Sequence, residues 1–143
     1  MLTLSQSIFK AYDIRGIVGK TLNASIAAQI GQAFGAAMRA KGERVAVIGR
    51  DGRLSGPELT SALAAGLQAA GVDVIDLGVV ATPMVYVATH VLDAQSGIMV
   101  TGSHNPPDYN GFKMVLAGEA IYGDTIQALY HAMVKGDLAK GAG

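Results

Sequence analysis

The chain of 143 residues has no cysteine. That absence rules out a disulfide framework and a thiolate metal site, and it suits a reducing cytoplasm without requiring one. Aromatic residues make up only 6% of the chain and tryptophan is missing, so single-stranded nucleic acid finds no stacking platform. Excess charge of either sign is lacking too. Eleven Lys and Arg balance eleven Asp and Glu, with no basic cluster to meet a phosphate backbone. No apolar run reaches the ~20 residues of a membrane-spanning helix, and Met1 to Lys10 lacks the basic-then-apolar order of a signal peptide. Together these absences predict a soluble, cytoplasmic protein with no nucleic-acid and no membrane partner.

What is present is apolar and periodic. Half of the residues are hydrophobic, and the length fits one domain able to bury its own core. Helical and strand patterns alternate from Asn23 onwards, the signature of an α/β fold with helices on the faces of a mostly parallel sheet. Asn23 caps a helix in which Ile26, Ile30 and Phe34 recur at four-residue spacing, Ala27, Gly31 and Gly35 permit close packing, and Gly42 is the stop. The β-branched run Arg44 to Gly49 predicts a strand. Pro57 suits the first helical position of a helix carrying Leu59, Leu63 and Leu67 and ending at Gly71. Strands are expected at Val72 to Leu77 and Gly97 to Val100, with Thr82-Pro83 as cap and first turn of an intervening helix reaching about His90. The link from Val100 to Phe112 is too short for a crossover helix, so Phe112 to Val115 should return antiparallel. A last helix is expected from Thr125 to Val134. Residues 1–135 then read as one domain, and 136–143 as a linker toward a further domain.

Parallel strands joined by right-handed crossovers bring their C-terminal ends to one edge, where open α/β sheets bind ligands. Three loops are expected there, after the strands starting near Arg44, Val72 and Gly97, and two of them are candidate sites: Arg50-Asp51-Gly52-Arg53-Leu54-Ser55-Gly56, and Thr101-Gly102-Ser103-His104-Asn105-Pro106-Pro107-Asp108-Tyr109-Asn110-Gly111-Phe112-Lys113. Gly, Ser, Asn, Asp and Pro are also ordinary turn residues, so the second loop taken alone reads first as a turn. A serine hydroxyl is a weak nucleophile without help. The available help is cationic: Arg15, Arg50, Arg53 and Lys113 are of the type that clamps phosphate and stabilises phosphoryl transfer. Acyl chemistry fits less well, since the Gly-x-Ser-x-Gly elbow of a serine hydrolase is missing. His104, adjacent to Ser103, is poorly placed as its base and either orients a phosphate or shapes the turn. Arg15 lies in Phe9-Lys10-Ala11-Tyr12-Asp13-Ile14-Arg15-Gly16, which local pattern also allows as a surface segment.

Taken together, Phe9 to Gly16, Gly49 to Gly56 and Thr101 to Lys113 resemble the signature segments of the α-D-phosphohexomutase superfamily, in particular its bacterial phosphomannomutase/phosphoglucomutase group. The resemblance implies a three-layer α/β/α domain with a four-stranded mixed sheet, one strand antiparallel, and an intramolecular phosphotransferase that interconverts hexose 1-phosphate and hexose 6-phosphate through a bisphosphorylated intermediate. It implies that Ser103 carries the phosphoryl group and, through that phosphate, gives one ligand to Mg²⁺, the other ligands coming from another domain. Lys113 and Arg15 would support transfer, Tyr12 and His104 would shape the pocket, Asn105 would hold the loop, and Arg50, Asp51 and Arg53 would support the site. Hexose 1,6-bisphosphate would be the activator. The resemblance covers only the first of four domains, and no Asp-x-Asp-x-Asp-Arg pattern occurs, so the isolated chain is expected to be inactive. A catalytically silent sugar-phosphate-binding or assembly module is the alternative.

Overall fold

Three extended apolar runs, each followed by a helix-forming segment or a tight loop, build the centre of a mixed sheet. In the computed structural model, residues 4–10, 13–92, 94–102 and 105–136 are described. The strands are β1 (Ile14–Ile17), β2 (Val45–Arg50), β3 (Asp73–Val79), β4 (Ser96–Val100), β5 (Tyr109–Leu116) and β6 (Glu119–Ala120). The helices are α1 (Ala24–Ala40), α2 (Gly56–Ala69), α3 (Thr82–Val91) and α4 (Asp124–Lys135). The expected roles of Tyr12, Ser103 and His104, and most of the expected linker, fall outside the described residues.

Strand order is β1-β5-β4-β2-β3, with β6 also on β5. The strands β2, β3 and β4 run parallel, whereas β5 is antiparallel to β4, β1 and β6. The antiparallel return therefore holds, but the sheet has six strands rather than four. The two additional strands carry little signal of their own. The strand β1 is interrupted by Arg15-Gly16 and β6 has two residues, so pairing with β5 rather than alternation defines them. β5 itself starts at Tyr109, earlier than the apolar run at Phe112 suggests, because Tyr109 to Gly111 pair with β1.

One face of the sheet carries Ile14, Ala46, Ile48, Ile98, Val100, Phe112 and Met114 into a core shared with α1, α2 and α4. Helix α1 starts where expected, the Asn23 side chain accepting the Ile26 N–H at 2.9 Å. It lies close against α2 because a Cβ on Gly31 would strike the Leu63 carbonyl oxygen, and one on Gly66 that of Ala28. On the opposite face α3 packs over β2 and β4 through the buried Val85. Thr82 is the first residue of α3 and not its cap; Ala81 occupies the cap position and no side chain bonds there. Pro83 makes that tolerable, since it has no N–H to satisfy. No helix among the described residues is long and apolar enough to cross a membrane.

Candidate active site

The C-terminal ends of β2, β3 and β4 are level, with Arg50 opposite both Val79 and Val100. The loops after β2 and β4 therefore leave the same rim and meet at once. The Asp51 N–H donates to the Val100 carbonyl at 3.1 Å. Its carboxylate then crosses to the second loop, where Oδ2 accepts the Thr101 hydroxyl at 2.8 Å and the Gly102 N–H at 3.3 Å.

Arg53 completes the tie. Its Nε lies 3.5 Å from Asp51 Oδ2. Its Nη1 donates to the carbonyls of Pro106 at 2.6 Å and Tyr109 at 3.2 Å, and Nη2 donates to that of Asn105 at 2.8 Å. A fixed planar fork suits three converging carbonyl oxygens in a way that a lysine ammonium does not. Gly102 lies beneath it, and a Cβ there would strike the guanidinium, so the loop or the arginine would have to shift. Asn105 closes the turn on itself, its backbone N–H and its Nδ2 both donating to the Gly102 carbonyl, at 3.0 and 2.8 Å. Further along, the buried Asn110 donates from Nδ2 to Ser55 Oγ at 2.9 Å, a second link between the two loops. In sequence Ser103 lies between Gly102 and Asn105, at the part of the loop that these bonds bracket.

Arg15 arrives from β1. It sits opposite Gly111 of β5, and Lys113 lies two residues further along the same strand. Side chains two apart on a strand share a face, so Arg15 and Lys113 are diagonal neighbours, roughly 7–8 Å apart at their backbones. They occupy the face opposite the Ile14 and Phe112 core, beside the region that α3 covers. Both side chains are half-buried. The guanidinium of Arg15 donates through Nε and Nη2 to Asp13 Oδ2, at 3.3 and 2.9 Å, and through Nη1 to Asn105 Oδ1 at 3.4 Å. That last bond joins the β1 cation to the serine loop.

The predicted residues are therefore not equivalent in place. Arg15, Asp51, Arg53 and Asn105 form one hydrogen-bonded assembly around the loop, with Lys113 on the adjoining sheet face, opposite Met99. Arg50 turns elsewhere, its Nη1 lying 3.9 Å from Asp76 Oδ1 on β3. Two contributors escaped sequence reasoning. The sequence marks Thr101 only as the start of the loop, and Asp13 only as part of a segment, although its two-residue spacing from Arg15 places both on one side of an extended chain. Among the described residues, no three His, Cys, Asp or Glu side chains gather to hold a metal.

Residues 6–140 match the family model described as phosphoglucomutase/phosphomannomutase, alpha/beta/alpha domain I. The chain belongs to this family. Domain I of the family is thus the unit described above. The chain is 56% identical over 99% of its length to the phosphomannomutase/phosphoglucomutase of Pseudomonas aeruginosa strain PAO1, and 50% identical over 97% to the phosphoglucomutase of Neisseria meningitidis serogroup B. In both cases it spans 30% of the relative's length. A solved structure of a phosphoglucomutase/phosphomannomutase family protein from Burkholderia thailandensis superposes with a TM-score of 0.94 at 58% identity, covering 99% of this chain and 32% of that one.

Proposed function

We propose that this domain I carries the phosphoserine of a phosphohexomutase, with Ser103 as the phosphoryl carrier. In the forward half-reaction the bond from Ser103 Oγ to phosphorus breaks and a bond from a hexose-phosphate hydroxyl oxygen to phosphorus forms. The hydroxyl proton leaves and the serine oxygen is left to be reprotonated. The hexose 1,6-bisphosphate so formed then returns the phosphoryl group from its other end, so that phosphate moves between C1 and C6. Arg15 and Lys113 supply positive charge toward the equatorial oxygens of the transferring group, which is where phosphoryl transfer needs it. Asp51, Arg53 and Asn105 hold the described residues on either side of Ser103, which restrains the loop before the sugar arrives.

The observation that carries this reading is the Arg15 Nη1 to Asn105 Oδ1 contact of 3.4 Å, which brings a cation of a distant strand onto the loop bearing Ser103. Tyr12 and His104 are proposed to shape the same pocket, and hexose 1,6-bisphosphate to act as activator. The described residues do not by themselves fit a magnesium ion, and this chain is proposed to contribute only the Ser103 phosphate to its binding. Because the chain spans 30% of its relatives, the sugar grip is proposed to come from other domains, and mutase turnover from the full-length protein only. A coupled assay tests this. The full-length protein should convert glucose 1-phosphate or mannose 1-phosphate to the 6-phosphate, and the 143-residue chain should not; turnover by the short chain, or none by the long one, would refute it.

A further inference from the structure

Arg15 and Lys113 pose an electrostatic problem that the site must solve before any phosphate arrives. Two cations on one sheet face, diagonal neighbours on adjacent strands, repel each other and would spread their side chains apart. Asp13 precedes β1 by one residue. Ile14 pairs with Phe112, the neighbour of Lys113, so the chain before Ile14 leaves β1 toward the Lys113 end of this pairing, and the Asp13 contact with Arg15 shows that its side chain is on the Arg15 side.

The carboxylate is nearly removed from water, its side chain 5% exposed against 33% for that of Arg15. A buried carboxylate is stable only when its oxygens are paired. Here Oδ2 accepts two N–H groups from Arg15, whereas Oδ1 is buried with no hydrogen-bond partner among the described residues. The orphaned oxygen needs a donor. Lys113, on the facing strand, makes no ion pair among the described residues, and its ammonium has three donors on a flexible four-carbon stem.

We propose that Asp13 is a positioning residue for both cations: Oδ2 aims Arg15, and Oδ1 receives the Lys113 ammonium when the site is charged with a phosphoryl group. The carboxylate thereby offsets the repulsion between Arg15 and Lys113 and holds them toward one transferring group. This rests on the phosphoryl-transfer reading above. Asp13 need not touch substrate.

The test has two arms. In the full-length protein, Asp13→Asn should lower kcat by up to roughly a hundred-fold with little change in KM, as misplacement of a reacting geometry does. Asp13→Glu should recover part of that loss. Combined with Arg15→Lys or with Lys113→Arg, Asp13→Asn should add much less than its own effect, since residues acting through one another are not additive. Additive losses with Lys113→Arg would overturn the Lys113 half, and additive losses with both would overturn the proposal. The second arm needs no variant to fold. In the unsubstituted 143-residue chain, NMR should find the Arg15 Nε–H exchanging with water far more slowly than a free arginine, and exchange at the free rate would overturn the proposal. Ser103→Ala separates the two claims. An unimpaired Ser103→Ala enzyme refutes the phosphoserine reading whatever Asp13 does, whereas a dead Ser103→Ala enzyme with an unimpaired Asp13→Asn enzyme refutes only the role of Asp13.

Discussion

Asp51 Oδ2 accepts the Thr101 hydroxyl at 2.8 Å, so the first residue after β2 and the first after β4 are locked together across two parallel strands. The same oxygen takes the Gly102 N–H. One carboxylate therefore determines where the serine loop begins, and its loss should be felt both as instability and as misplacement of that loop.

For Asp51→Ala the expected cost is about 1–3 kcal/mol, because the Thr101 hydroxyl and the Gly102 N–H lose their acceptor in a part-buried site. Urea unfolding of the 143-residue chain measures it. A midpoint unchanged from the unsubstituted chain would show that the bond contributes nothing to stability.

Arg53→Lys should not substitute for Arg53. The ammonium cannot serve the carbonyls of Asn105, Pro106 and Tyr109 at the positions the planar fork serves. In the full-length protein kcat should fall while the unfolding midpoint drops only modestly; equal activity of the lysine variant would remove the clamp from the account.

Gly102→Ala places a methyl group against the Arg53 guanidinium. The loop or the arginine has to move, so turnover should fall sharply in the Gly102→Ala protein. Combined with Arg53→Ala, which empties that space, the alanine at 102 should add little further loss. Full additivity in steady-state assays would contradict a steric cause.

Gly31→Ala tests the fold rather than the site. Its new Cβ would meet the Leu63 carbonyl oxygen across the α1–α2 contact, and overpacking of this kind costs roughly 1–3 kcal/mol. Thermal unfolding of the chain should show a lower Tm, and the Arg15 Nε–H should keep its protection. A Tm equal to that of the original chain would mean that the two helices can separate without cost.

The residues explain why much of this was readable before the structure. The four-residue spacing of Ile26, Ile30 and Phe34 and the Asn23 cap defined α1 because helix burial is periodic and its N-terminus needs an acceptor. The short link after Val100 dictated an antiparallel β5 by length alone. By contrast β1 was hidden, since Ile14-Arg15-Gly16-Ile17 has no strand-like run and takes its shape from hydrogen bonds to a partner almost a hundred residues away. At the site, motif residues marked Arg15, Asp51, Arg53 and Asn105, but not which way each would turn. Arg50 and Arg53 are both arginines of one loop, and only packing sends one to Asp76 and the other to the carbonyls of the serine loop. For Asp13 the two-residue spacing from Arg15 is legible, but its burial is not.

The phosphoryl-carrier claim stands or falls on Ser103. Intact-mass spectrometry of the full-length protein, before and after phosphatase treatment and with peptide mapping, measures it directly. One labile phosphate is expected, located on Ser103, with loss of both the phosphate and mutase turnover in Ser103→Ala. A Ser103→Ala enzyme with full turnover, or a Ser103 that stays unphosphorylated in the turning-over enzyme, would contradict it.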